Sequence, residues 1–138
     1  MEKLSVSLED YIEEIYKQVL KFGSAKVTEI AKSLNVKKAS VTGALNILAE
    51  KNLVNYVPYS SITLTDEGER IAKNILKKHE NLTEFFKEVL KIPDEEARET
   101  ACKMEHIVSE KLFTNMVKLT KYVKSEMKDE IGKLYFTP

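Results

Sequence analysis

Three side chains able to bind a first-row metal stand within one short stretch of the chain: Cys102, Glu105 and His106. Their i, i+3, i+4 spacing puts a thiolate, a carboxylate and an imidazole on one face of a helix. That mixture of donors suits a divalent transition metal. The other histidine, His79, falls in register with Ile75, Leu82 and Phe86 of an apolar stripe. It is therefore either a hydrogen-bonded core histidine or a further ligand. Asp10 and Glu13 offer two more carboxylates, placed roughly opposite the stripe Leu8, Tyr11, Ile12, Ile15. Simpler readings exist for both: Ser7-x-x-Asp10 has the form of a capping box, and Glu13 can be a solvated acid. A metal-dependent hydrolase is disfavoured, because no separate nucleophile or general base accompanies the cluster; the chain does not read as an enzyme.

The elements that carry these residues are mostly helical. Leu8, Tyr11, Ile12, Ile15, Tyr16, Val19 and Leu20 repeat at helical spacing, with Ser7 as the expected N-cap and Phe22-Gly23-Ser24 as the stop. Residues 27–34 read as a short helix and Asn35-Val36 as a tight turn. Lys38 to Glu50 reads as a longer helix with Val41, Leu45 and Leu48 inward. Leu53–Val57 and Ile62–Leu64, around Pro58-Tyr59-Ser60-Ser61, read as a β-hairpin. Thr65 can cap a long helix from Asp66 to about Leu90, which Pro93 stops. A further helix is expected from about Asp94 to Val108, and a last one carries Leu112, Phe113, Met116, Val117, Thr120 and Val123. The fold class is mainly α: an N-terminal winged helix-turn-helix over residues 1–70, then an all-helical metal-binding and dimerisation domain over 71–138. The second part is too small to hold much core alone, so a homodimer is expected.

Two helices, a tight turn and a hairpin place a recognition helix at residue 38, with its first turn toward a DNA groove. The expected DNA contacts are Lys37, Lys38, Ala39, Ser40, Thr42 and Gly43. Lysines meet phosphates, hydroxyls meet base edges or phosphates, and the Ala39 methyl can meet a thymine methyl. A glycine inside a helix costs about 1 kcal/mol relative to alanine, so Gly43 needs a reason: close approach to DNA or packing against a neighbouring helix. Net charge is zero, yet residues 17–65 hold seven lysines and two acids. That basic block suits a double-stranded DNA operator, although a lysine-rich solvated surface or a protein-binding winged helix would share it. No apolar run approaches the roughly 18–20 residues of a membrane span, and Met1–Ser5 shows no signal-peptide stretch. A single cysteine, Cys102, fits a reducing cytoplasm.

These residues resemble a known family, the DtxR/MntR metal-dependent repressors. The resemblance is carried by Glu9-Asp10-Tyr11-Ile12-Glu13-Glu14-Ile15-Tyr16, by residues 27–34 with Ser40-Val41-Thr42, by Leu64-Thr65-x-x-Gly68, by Lys78-His79-Glu80, and by Ala101-Cys102-Lys103-Met104-Glu105-His106. It is to the short members without an SH3-like domain. It implies a transcriptional repressor of metal-homeostasis genes with a divalent metal as corepressor, held by Asp10, Glu13, His79, Cys102, Glu105 and His106. Asp10 and Glu13 resemble the manganese-responsive branch. Cys102 resembles the iron-responsive branch, so iron(II) is favoured and manganese(II) is the alternative. The iron branch also has an ancillary site with a histidine where Arg98 stands here; a second site would have to be built around His79, Glu80 and Glu84. The rival regulator reading is a metal-independent winged helix sensing redox state through Cys102.

Overall fold

The computed structural model describes residues 4–136. They divide into two compact units, one ending at Ile75 and the other starting at Leu76.

The first unit opens with α1 (Val6–Phe22). Its cap is Ser5, not Ser7: Ser5 has extended backbone, and its Oγ accepts from Leu8 N–H at 3.2 Å. Ser7 already lies inside the helix, so the capping-box reading of Ser7 and Asp10 falls. Gly23 ends the helix at φ 85, its N–H donating to Val19 C=O. Tyr11, Ile12, Ile15 and Tyr16 are buried, whereas Leu20, at the margin of the expected stripe, is exposed. Next come α2 (Val27–Leu34) and α3 (Lys38–Glu50). Asn35 makes the tight turn between them in the left-handed region, φ 54 and ψ 50, which asparagine tolerates. Ile30, Ala31, Val41, Ala44, Leu45 and Leu48 are buried. Glu14 ties α1 to α2: it accepts from Ser33 Oγ at 2.6 Å and from Gln18 Nε2 at 3.0 Å. Gln18 Oε1 in turn accepts the Lys26 N–H at 3.3 Å, where α2 begins.

The wing is an antiparallel pair, β1 (Val54–Asn55) and β2 (Thr63–Leu64), with Val54 opposite Leu64 and Asn55 opposite Thr63. The strands are shorter than the apolar runs implied. Val57 enters a turn closed by Ser60 N–H on its carbonyl, and Ile62 pairs with Ala25 instead, through two backbone hydrogen bonds. Thr65 caps α4 (Asp66–Glu88) as expected, its Oγ1 accepting from Gly68 N–H at 3.1 Å. A Cβ on Gly68 would sit 2.0 Å from the Leu53 carbonyl oxygen. Gly68→Ala should therefore cost about 2–3 kcal/mol, as overpacking does, read as a lower urea midpoint. An unchanged midpoint would mean that the Leu53 backbone yields freely.

Leu76 onward forms the second unit, with α4 containing the boundary. Lys91 at φ 55 and Ile92 N–H on Phe86 C=O turn the chain after α4, two residues before the expected end. Then follow α5 (Asp94–Met104), α6 (Glu110–Glu126) and α7 (Lys128–Phe136). Leu82, Phe86, Ala97, Ala101 and Val108 form the core, flanked by Phe85, Ile92, Met104, Phe113 and Met116. α5 stops at Met104, four residues before the expected Val108. Ser109 caps α6 with extended backbone, accepting Leu112 N–H at 3.2 Å, so the chain must leave the helix before it. α7 was not expected from the sequence; none of its residues is buried, so no apolar stripe announces it.

Candidate metal centre and nucleic-acid surface

Within the second unit, α4 supplies His79, α5 supplies Cys102, and the turn after α5 supplies Glu105. One ligand atom from each lies within 4.8 Å of the others. His79 Nδ1 stands 2.9 Å from Glu105 Oε2. His106 Nε2 stands 3.4 Å from the other carboxylate oxygen, Oε1. Glu105 thus lies between two imidazoles. Its side chain is 0% exposed and that of His106 3%, while Cys102 is exposed. The expectation of one helical face holds for Cys102 and Glu105, whose ligand atoms lie within 4.8 Å of one another: Glu105 is the C-cap of α5, still in the αR region with its N–H on Ala101 C=O. His106 stands in the turn beyond it, and the turn, with the helix facing it, brings the donors together. His79 is not a sealed core residue: it keeps 19% of its side-chain exposure and faces the carboxylate. Thr83 Oγ1 donates to the His79 carbonyl at 2.8 Å.

A fully buried carboxylate costs several kcal/mol unless charge or hydrogen bonds compensate it. A divalent cation supplies such compensation, and sulfur, oxygen and nitrogen donors are a set it accepts. The residues present fit a first-row metal.

In the first unit, Asp10 and Glu13 lie one turn apart on α1. Glu13 is buried at 5% exposure and 3.3 Å from Lys17 Nζ, which overturns the solvated-acid reading. In the second unit, Arg98 Nε and Lys87 Nζ both bind Asp94, at 2.9 and 2.8 Å. The hydrogen bonds from Lys87 and Arg98 hold the Asp94 carboxyl below its ordinary value. Glu84 pairs with Lys124.

Lys37, Lys38, Ala39 and Ser40 are all exposed at the start of α3. Thr42 Oγ1 donates to Lys38 C=O at 3.0 Å, so its hydroxyl can offer lone pairs outward but not its proton. Nothing lies within 4 Å of a Cβ built on Gly43; packing inside the chain does not explain that glycine. Sequence reasoning missed the wing tip and Lys26. Lys26, Lys38, Thr42, Asn46, Tyr59 and Ser61 help line one groove of about 610 Å³. The signal available was the dipeptide Pro58-Tyr59 in a turn.

A helix-turn-helix with a two-stranded wing, followed by a helical unit bearing a His/Cys/Glu cluster, defines a winged-helix transcription regulator with a metal-binding domain. Residues 3–62 match the family described as iron dependent repressor, N-terminal DNA binding domain. Residues 65–130 match iron dependent repressor, metal binding and dimerisation domain. The chain belongs to this DtxR/MntR family of metal-dependent transcriptional repressors, which are DNA-binding proteins rather than enzymes. It is 40% identical over 114 residues to an uncharacterised HTH-type transcriptional regulator of Methanocaldococcus jannaschii, covering 82% of this chain and 91% of that one. It is 30% identical over 120 residues to the HTH-type transcriptional regulator MntR of Bacillus subtilis, covering 87% and 84%. Among solved structures, T. acidophilum IdeR superposes with TM-score 0.74 at 28% identity, over 88% of this chain and 56% of that one. The manganese regulator SloR gives 0.72 at 25%, over 83% and 54%. The chain thus spans about half the length of these solved relatives. No helix among the described residues is long and apolar enough to cross a membrane.

Proposed function

We propose that this chain is a homodimeric repressor of metal-homeostasis genes whose operator binding is switched on by a divalent metal. The observation that carries the reading is Glu105: a fully buried carboxylate with His79 at 2.9 Å and His106 at 3.4 Å, beside the Cys102 thiol. His79, Cys102, Glu105 and His106 would hold the ion. Asp10 and Glu13 complete the proposed set on the strength of the family resemblance. When bound, the ion supplies positive charge that inverts the electrostatics among carboxylates. Ligands from the DNA-binding unit and from the second unit then share one charge, so metal affinity and DNA affinity rise together, reciprocally. In the dimer, two recognition helices can meet successive major grooves about 34 Å apart. A thiolate donor favours iron(II) over manganese(II), whereas the name of the relative SloR speaks for manganese. A reduced Cys102 needs a reducing compartment, which makes the cytoplasm the proposed place of action.

At the DNA surface, the proposed contacts are Lys37, Lys38, Ala39, Ser40, Thr42 and Gly43. The open space over Gly43 favours close approach of a DNA backbone there. The test is a titration of metal-stripped protein with iron(II), anaerobically, and separately with manganese(II), following fluorescence anisotropy of a duplex selected from a random library. DNA affinity should rise within the roughly 5–150-fold range of allosteric couplings, and the metal with the lower half-point is the effector. Equal affinity in chelator would remove the switch and leave a metal-independent winged helix. Lys37→Glu should weaken binding to every sequence and reduce the salt slope by about one. Unchanged affinity and slope would remove α3 from the DNA contact.

A further inference from the structure

The face of α3 turned away from the core has one neutral polar side chain along its centre line. Val41, Ala44, Leu45 and Leu48 are the buried residues of the helix. At about 3.6 residues per turn, the line opposite the middle of that stripe runs along Ala39, Gly43, Asn46 and Glu50, and all four are exposed. Ala39 and Gly43 are short, and nothing lies within 4 Å of a Cβ built on Gly43. Small residues in the first two turns let a bound surface come close to the helix, within reach of a longer side chain one turn on. That side chain is Asn46. Glu50, the next on the line, is an acid that phosphates would repel, so contact with a polyanion ends at Asn46.

The chemistry of its neighbours sets Asn46 apart. Lys37 and Lys38 can only donate. Thr42 gives its proton to Lys38 C=O at 3.0 Å. The Asn46 side-chain amide lines a groove with Lys26, Lys38 and Thr42. It makes no hydrogen bond among the described residues, and it carries both a donor and an acceptor. In a major groove, adenine presents an acceptor, N7, beside a donor, the 6-amino group. Guanine presents two acceptors, N7 and O6. Cytosine presents one donor, and thymine one acceptor with a methyl group. Only adenine satisfies both ends of a carboxamide at once.

We propose that Asn46 is a base-reading residue of α3 that selects adenine. Its side-chain oxygen accepts from the 6-amino group and its side-chain NH2 donates to N7, while Lys37 and Lys38 at the start of the helix hold phosphates. The proposal rests on the DNA-binding reading of α3 and adds to it the residue and the base that set its preference.

The test uses the full chain with manganese(II) and the duplex selected from a random library, its adenines replaced one at a time by 7-deazaadenine. That base keeps the Watson–Crick pair and the 6-amino group but lacks N7. In each half-site, one replacement should weaken wild-type binding about tenfold, within the range of a bidentate contact. Asn46→Ala is an exposed change to a better helix former and so folds. It should be indifferent to the replacement at that adenine and keep the wild-type response at the others. A fresh selection with Asn46→Ala should return the same motif with that one base pair degenerate. A wild-type protein indifferent at every adenine, or a selected motif with no fixed adenine, overturns the proposal. So does an Asn46→Ala variant with an unchanged motif, including one that weakens all sequences equally, which would mark a phosphate contact. If Lys37→Glu weakens binding while Asn46→Ala behaves as wild type, only the Asn46 proposal falls. If Lys37→Glu also changes nothing, the α3 reading falls with it.

Discussion

Glu105→Gln should abolish the metal response while leaving a folded protein. Glutamine keeps the shape of the side chain and can still accept a hydrogen bond at the place where His79 now stands 2.9 Å from Oε2. It removes the negative charge that sits between two imidazoles. Burying a carboxylate costs more than burying a neutral amide of the same shape, so the metal-free variant should fold with about wild-type stability. Its loss falls on the bound state. Disturbing an outer partner of a metal ligand costs 10–100-fold in metal affinity, and removing a charged ligand itself should cost about 100-fold or more. Cobalt(II) and manganese(II) titrations followed by calorimetry would measure this, with DNA anisotropy alongside. The gain in DNA affinity on adding metal should shrink toward one. A variant with wild-type metal half-points would show that the buried carboxylate serves the fold of the second unit and not the ion.

The parts of this fold that the sequence announced are those with a period. α1, α3, α4 and α6 bury residues at helical spacing, and the stripes in Tyr11–Tyr16 and Val41–Leu48 mark the faces that pack. What escaped depends on single residues acting across distance. Ile62 leaves its expected partner strand for Ala25, and one residue has no periodicity. The end of α5 is set by Ser109, which must be extended to cap α6; nothing in Glu105-His106-Ile107 itself stops a helix. That displacement matters for the site, because Glu105 is the helix's C-cap and His106 stands in the turn beyond it. Glu13 read as a surface acid because polarity was the only local guide, yet it is buried. The ligand types were legible from donor chemistry and from the family resemblance. That His79 and Glu105 converge was implied by the resemblance alone and not by spacing, since residues 26 apart meet only through the packing of α4 against the turn after α5.

Cys102→Glu should redirect metal preference without harming the fold. Cys102 is exposed where Glu105 and His106 are buried, and exposed substitutions away from special features change stability by roughly 0.5 kcal/mol or less. The effect therefore falls on the ion. A thiolate binds iron(II), cobalt(II) and nickel(II) better than manganese(II), and a carboxylate narrows that difference. The ratio of iron to manganese half-points should move toward manganese on the order of tenfold, equal to about 1.4 kcal/mol. Cobalt(II) gives an independent readout: the wild-type complex should show a sulfur-to-cobalt charge-transfer band in the near ultraviolet, and the variant should lack it. Presence of the band with an unmoved ratio would make Cys102 a ligand that does not choose the metal. Absence of the band in the wild type would take the thiol out of the ligand set, leave His79, Glu105 and His106 as the donors of the second unit, and remove the physical ground for preferring iron.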